Sequence, residues 1–120
     1  MKDKALLVSG SRTLKNPSKI EPLFSPYHDY HWVFGNAVGI DTIAHNYCHK
    51  HNISHEEPFK PKYDIYGIKA PLKRNIQMIK FIVKFKKPML LAIRENYSAG
   101  TSHTIKEAKK MNIPTKIIDF

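Results

Sequence analysis

The chain has 120 residues and a mass of 13.9 kDa, which is enough for one domain with a single hydrophobic core. It has no run of about 18 apolar residues that would predict a membrane span, and its first apolar run is too short for a secretory signal. The net charge of +10 is concentrated in residues 61–120, where 13 Lys and Arg stand against 4 Asp and Glu, and this favours an anionic partner. We expect one domain, residues 1–120, in the cytoplasm, with Cys48 as a buried thiol.

The first half of the chain predicts two strands and two helices. Residues 5–8 are a short apolar run typical of a buried strand, and a turn follows at residues 9–12. Prolines shorten the next helix to residues 18–24. Residues 31–34 favour a strand, and the strand pattern ends at Gly35. Apolar residues resume at helical spacing after Gly39.

The second half alternates in the same way. Residues 53–59 are the weakest strand candidate. Pro71 suits the first turn of a helix that Pro88 is expected to end, with an apolar face of Leu72, Ile76, Ile79, Ile82 and Val83. Residues 89–93 predict a buried strand, residues 101–111 a helix, and residues 115–118 a final strand.

The alternation of strands and helices predicts an α/β fold. Because strand–helix–strand connections are right-handed, it predicts a single doubly wound parallel sheet of about five strands with helices on both faces. In such sheets ligands bind at the carboxyl ends of the strands, where the strand order reverses.

Three turns rich in glycine and hydroxyl groups fall at this edge of the predicted sheet. Each presents unpaired backbone N–H groups and the positive end of a helix dipole to an anion, and arginine adds a fork that matches phosphate oxygens. Asp41 and Thr42 stand in a first helical turn, where they can cap the same donors. The predicted ligand-binding residues are Gly10, Ser11, Arg12, Gly35, Asn36, Gly39, Asp41, Arg74, Asn75, Ser98, Gly100 and Thr101.

These residues also have structural interpretations. Arg12 can be a solvated side chain of a surface turn, and Thr101 can be a plain N-cap. Arg74 lies early in a helix, where a cation is unfavourable unless an anion joins it, but Asp64 is near enough in sequence to pair with it.

Two patterns lie outside this edge. Tyr63 and Tyr66 can stack on a base or close the core under a loop. A row of lysines along the third helix is either a solvated face or, as the nucleic-acid alternative, a track for a phosphate backbone: Lys73, Lys80 and Lys84.

The seven histidines do not predict a metal site. His45, His49 and His51 have helical spacing in part, but no Cys or carboxylate completes a ligand set. We therefore expect no metal and no cofactor.

The chain resembles the SLOG superfamily, and most closely its small YspA/YpsA-like members. Four blocks of that family pattern occur in order over nearly the whole chain: Gly-Ser-Arg at 10–12, a glycine turn with Gly-Ile-Asp at 35–41, Tyr-Gly at 66–67 leading to Arg-Asn-x-x-Met at 74–78, and Ser-x-Gly-Thr at 98–101. The resemblance implies a Rossmann-like fold that binds a nucleotide or nucleotide-derived ligand, as a sensor or a sequestering protein. It also implies pairing of two copies as a homodimer.

Two branches of the superfamily imply alternative functions. Lonely Guy phosphoribohydrolases cleave the N-glycosidic bond of nucleoside 5′-monophosphates, but Thr104 stands where their catalytic glutamate is expected. The candidate catalytic acids are then Asp41 and Glu95. The DNA-processing protein DprA, which binds single-stranded DNA, has a block similar to residues 39–45. The sequence favours ligand binding without catalysis over either alternative.

Overall fold

A computed structural model describes residues 3–96 and 98–120, which form one parallel sheet with helices on both faces. The strands are β1 (Lys4–Gly10), β2 (His31–Val33), β3 (Lys87–Arg94) and β4 (Thr115–Asp119). The helices are α1 (Pro17–Phe24), α2 (Ile40–His51), the single turn α3 (Tyr63–Tyr66), α4 (Ala70–Ile82) and α5 (Ala99–Lys110). Within the described residues, no helix combines the length and apolar character that crossing a membrane requires.

The strand order is β2-β1-β3-β4, and every neighbouring pair is parallel. The predicted α/β class and parallel sheet are therefore confirmed. The longest pairing joins β1 to β3, from Lys4 opposite Lys87 to Gly10 opposite Ile93. From β1 the chain moves outward to β2 on one side and then returns to the other side for β3. The order thus reverses between β1 and β3, and this is where such sheets open a crevice at their carboxyl edge.

The sheet has four strands, so the expectation of about five was wrong. Residues 53–59, the weak candidate, form only isolated parallel bridges beside β2, His55 with Trp32 and Phe59 with Gly35. Between the two bridges this segment contains one residue more than the strand it faces, which breaks the ladder. Pro58 falls in that gap and has no N–H to donate.

The two faces of the sheet bury separate apolar clusters. Along β1, Leu6 and Val8 point toward α1 and α2, where they pack with Trp32 and Phe34. Ala5 and Leu7 alternate to the other face. There they pack with residues from α4 and α5, including Met78, Ile79, Ile82, Ile105 and Ala108. Helices on both faces, as the sequence predicted, follow from this alternation.

Some boundaries differ from the sequence expectations. Pro88 does not end α4, which stops at Ile82, but lies inside β3. Proline is tolerated there because its nitrogen, which has no hydrogen to donate, points toward β4. Pairing with β4 begins only at Leu90, so no hydrogen bond is lost. Leu72, placed by periodicity on the apolar face, is 43% exposed. Cys48 is buried as expected, and burial raises the pKa of its thiol to about 12.

Gly39 and Gly67 both have a positive φ, but their surroundings differ, which allows a matched stability test. A Cβ added at Gly39 (φ +84°) would lie 2.5 Å from the Ser11 carbonyl oxygen, whereas one at Gly67 (φ +58°) would meet no atom within 4 Å. We expect Gly67→Ala to cost about 1–2 kcal/mol of unfolding free energy from backbone strain alone. Gly39→Ala should cost at least about 3 kcal/mol, because the clash adds to the strain. Urea unfolding measures both, and equal costs would contradict the close contact at Gly39.

Candidate functional site

A cavity of about 420 Å³ opens at the carboxyl edge of the sheet, at the reversal between β1 and β3. Its wall combines the turns after β1, β2 and β3 with the first half of α4. Nine of the twelve predicted ligand-binding residues line it: Gly10, Arg12, Asn36, Asp41, Arg74, Asn75, Ser98, Gly100 and Thr101. The other three, Ser11, Gly35 and Gly39, lie behind the wall.

Ser11 joins the turns that form the cavity. Its backbone N–H donates to the Ile93 carbonyl at 3.0 Å, and its own carbonyl accepts from the Ile40 N–H at 3.4 Å. Its hydroxyl accepts from the Glu95 N–H at 2.9 Å. Ser11 is 3% exposed. Ser11 therefore holds the start of α2 and the end of β3 against the end of β1, and it does not face the cavity.

Glycines allow this close approach of the turns. A Cβ at Gly10 would lie 2.3 Å from the side chain of Ile40 and 2.5 Å from the Ile93 carbonyl oxygen. A Cβ at Gly35 would lie 2.6 Å from Arg74 Nη1 and 2.8 Å from Asp41 Oδ2. Gly35 thus lets a guanidinium and a carboxylate pack against the backbone after β2.

Two arginines place positive charge on the cavity wall. Arg74 is half-buried and donates from Nη1 to Asn36 Oδ1 at 3.3 Å and from Nε to Asn75 Oδ1 at 3.2 Å. Burial lowers the pKa of Arg74, and the nearby guanidinium of Arg12 lowers that pKa further. Among residues 3–96 and 98–120, Arg74 forms no salt bridge, and the anticipated partner Asp64 is exposed. The cavity thus holds two cations whose charge is balanced only in part, by Asp41.

Asp41 lies in the first turn of α2, and its carboxylate and the Arg74 guanidinium pack on the same side of Gly35. Its Oδ2 accepts from the Ala37 N–H at 3.1 Å, and Thr42 Oγ1 donates to the Ala37 carbonyl at 3.1 Å. Both side chains therefore bond to the backbone of Ala37, before the helix, and neither caps the free N–H groups of the first turn. The N-cap residue of α2 is Gly39. Burial raises the pKa of Asp41 to about 6, although the Ala37 N–H and Arg74 act in the opposite direction.

The start of α5 forms the wall on the side of β3. Helix α5 begins at Ala99, two residues earlier than predicted, with Ser98 as its N-cap. The Ser98 hydroxyl does not cap the helix but hydrogen-bonds to Thr101 Oγ1 at 3.1 Å. A Cβ at Gly100 would meet no atom of the described residues within 4 Å. The first N–H groups of α5 therefore lack a side-chain cap beside an open space.

An apolar surface covers the remaining wall. It includes residues that the sequence reasoning did not assign to a site: Val38, Pro61, Pro71, Leu72 and Met78. Tyr63 lies with them, whereas Tyr66 does not line the cavity, and both are exposed. The prolines before and within the start of α4 were visible in the sequence, but their convergence on a cavity required the fold.

The remaining candidate residues lie elsewhere. Glu95 does not line the cavity, and its Oε1 accepts from Thr13 Oγ1 at 2.8 Å. Thr104 is fully buried and donates to the Gly100 carbonyl within α5. The lysines of the nucleic-acid alternative are exposed and lie outside the cavity lining: Lys73, Lys80 and Lys84.

Comparisons with protein-family models and with curated proteins found no match to this chain. The function is therefore argued from the cavity and its residues.

The raised pKa of Asp41 makes stability depend on pH. The folded protein holds the Asp41 proton more tightly than the unfolded chain, whose carboxyl has the ordinary pKa of 3.8. The stabilising contribution of this group is thus complete below about pH 4 and is lost as the pH rises through about 6. Asp41→Asn should therefore stabilise the protein at pH 8 by up to about 3 kcal/mol, with a much smaller difference from the parent at pH 4. Urea unfolding at both pH values tests this, and an equal effect at the two would contradict it.

Proposed function

We propose that the protein binds a nucleotide or nucleotide-derived ligand in this cavity, as a sensor or sequestering protein. The observation that carries the proposal is the pair Arg12 and Arg74 on the cavity wall, where the Arg12 guanidinium acts to lower the pKa of Arg74. Like charges held together at a half-buried site favour an anion between them. The proposal is also consistent with the resemblance to the SLOG superfamily and its Rossmann-like fold.

A phosphate group fits the polar side of the cavity. The start of α5 offers backbone N–H groups without a side-chain cap, and its dipole favours negative charge there. The Thr101 hydroxyl and the two guanidinium groups complete a set of donors. Asn36 and Asn75 orient Arg74 through its Nη1 and Nε, so the fork is held before a ligand arrives.

A nucleoside fits the apolar part of the cavity wall. Val38, Leu72 and Met78 give an apolar wall, and the exposed ring of Tyr63 can stack on a base. Asp41 can accept from ribose hydroxyls, a common role of an acidic residue in nucleotide sites. A volume of about 420 Å³ lies within the usual range for small-molecule sites, about 300–1,000 Å³.

Catalysis receives less support than binding. Glycosidic cleavage requires a carboxylate at the ribose, and Asp41 is the acidic residue among those that line the described cavity. Glu95 is engaged with Thr13, and Thr104 carries no carboxylate and is buried. We therefore propose ligand binding without turnover, and incubation with nucleoside 5′-monophosphates followed by chromatography for free base tests it directly.

The two arginines provide the main test of the proposal. A thermal-shift screen with nucleotides, cyclic nucleotides and ADP-ribose derivatives identifies ligands, because a bound ligand raises the melting temperature. For any such ligand, Arg12→Ala or Arg74→Ala should weaken binding by about 1–3 kcal/mol in calorimetry, which is the scale of a lost charge-assisted hydrogen bond.

Lys80→Ala removes an exposed charge on the same helix as Arg74 and is the matched control, which should bind normally. If neither arginine variant loses affinity, the cavity is not the anion site. If single-stranded DNA binds tightly and Lys80→Glu with Lys84→Glu abolishes that binding, the nucleic-acid alternative replaces the proposal.

Gly100 gives a test that does not remove a charge. Its backbone is not strained and its side-chain position is empty, so nothing in the described protein requires glycine there. Gly100→Ala should leave stability unchanged or raise it by up to about 1 kcal/mol, since alanine favours helix. It should nevertheless weaken ligand binding by about 10-fold or more, because the methyl group occupies the space that a phosphate would approach. The neighbouring Ala99→Gly lies outside the cavity lining and should lower stability while leaving ligand binding unchanged. Unimpaired binding by Gly100→Ala would contradict close approach of the ligand.

A further inference from the structure

A cluster of three histidines lies outside the cavity, at the edge of the sheet beside β2. His45 and His49 occupy one stripe of α2 at a spacing of four residues, and His55 follows the helix in the segment that bridges to β2. One ring nitrogen from each lies within 4.8 Å of those of the other two, and the Nε2 atoms of His45 and His49 are 3.1 Å apart. The sequence spacing groups His45 and His49 with His51, whereas the fold supplies His55 as the third member.

We propose that His45, His49 and His55 form a binding site for a divalent transition-metal ion of the zinc class. Imidazole nitrogen is a preferred ligand of Zn²⁺ at about 2.0–2.1 Å, which separates two ligands of a tetrahedral ion by about 3.4 Å. The nitrogen separations in the cluster, from 3.1 Å to at most 4.8 Å, bracket this value. His49 is exposed and is free to adjust by rotation of its side chain.

The hydrogen bonding of His55 supports a ligand role. Its Nδ1 lies 2.7 Å from the Ile53 carbonyl oxygen, to which it must donate. The neutral ring then carries its lone pair on Nε2. A backbone carbonyl that fixes the tautomer and orientation of a histidine in this way is typical of metal ligands.

The environment of the cluster also favours a bound cation over three free histidines. The ring of Phe34 packs against His45 and His55, with centroids 5.4 and 5.9 Å away. The carboxylate of Glu57 lies close enough to interact electrostatically with His45 and supplies negative charge near the cluster.

The proposed ion would join α2 to the segment of residues 53–59. That segment is attached to β2 through isolated bridges, so a metal link at His55 adds a constraint where the sheet supplies few. His45 follows Asp41 by four residues on α2, about 6 Å along the helix axis, and does not line the cavity. The metal site is thus separate from the proposed nucleotide site, and neither proposal depends on the other.

Zinc titration of the full chain, purified without a polyhistidine tag and treated with a chelator, tests this proposal. We expect calorimetry to show one Zn²⁺ per chain, and Co²⁺ to give the visible absorption of a site with nitrogen ligands. Zn²⁺ should also raise the melting temperature. His49→Ala removes an exposed ligand and should weaken Zn²⁺ binding by about 100-fold or more, with an unchanged circular dichroism spectrum.

His51→Ala is the matched control, because His51 is exposed on the same helix but lies outside the cluster. It should bind Zn²⁺ as the parent does. If the parent takes up no Zn²⁺ when the ion is supplied at about 100 µM, the cluster is only a packed group of hydrogen-bonded rings. If His49→Ala binds as tightly as the parent, the ion lies elsewhere. Either result overturns the proposal.

Discussion

The structure depends on the close contact between the turn after β1 and the two connections beside it. Gly10 has no room for a side chain because Ile40 and the Ile93 carbonyl lie where its Cβ would be. Ser11 then donates to that carbonyl, accepts from the Ile40 N–H and binds the Glu95 N–H through its hydroxyl. Since these bonds hold the start of α2 and the end of β3 against β1, they define the carboxyl edge at which the cavity opens. The residues that build this junction are mostly not those that face a ligand.

The cavity is electrostatically unbalanced in the described structure. Two guanidinium groups and the start of α5 contribute positive charge to the cavity wall, and burial raises the pKa of the Asp41 carboxyl to about 6, which disfavours its negative charge. Asn36 and Asn75 hold Arg74 in place without neutralising it. Such an arrangement costs free energy in an empty site and gains it when an anion binds. The apolar residues of the cavity wall suit the flat base of the nucleotide ligand that we propose.

The histidine cluster lies at the irregular edge of the sheet beside β2, where we propose a metal site. Residues 53–59 do not complete a strand, because Pro58 and the extra residue between the two bridges interrupt pairing with β2. His55 lies at the first of the two bridges, where its ring is beside those of His45 and His49. A regular fifth strand would have extended along β2 and required pairing through this region. The metal site that we propose therefore uses a residue of the segment that does not form the expected fifth strand.

The sequence by itself determined the alternation of strands and helices, because apolar period and glycine or proline breaks are local properties. It also located most residues of the cavity wall, since in a parallel α/β sheet each strand-to-helix turn must fall at the carboxyl edge. The number of strands, the exposure of Leu72 and the position of Pro88 inside β3 depended on pairing between distant segments. Likewise, Ser11 faces inward, and Arg74 hydrogen-bonds to asparagines instead of pairing with Asp64. Folding also brings His55 beside His45 and His49 of α2. Tertiary structure decided these features because each depends on which residues distant in sequence become neighbours in space.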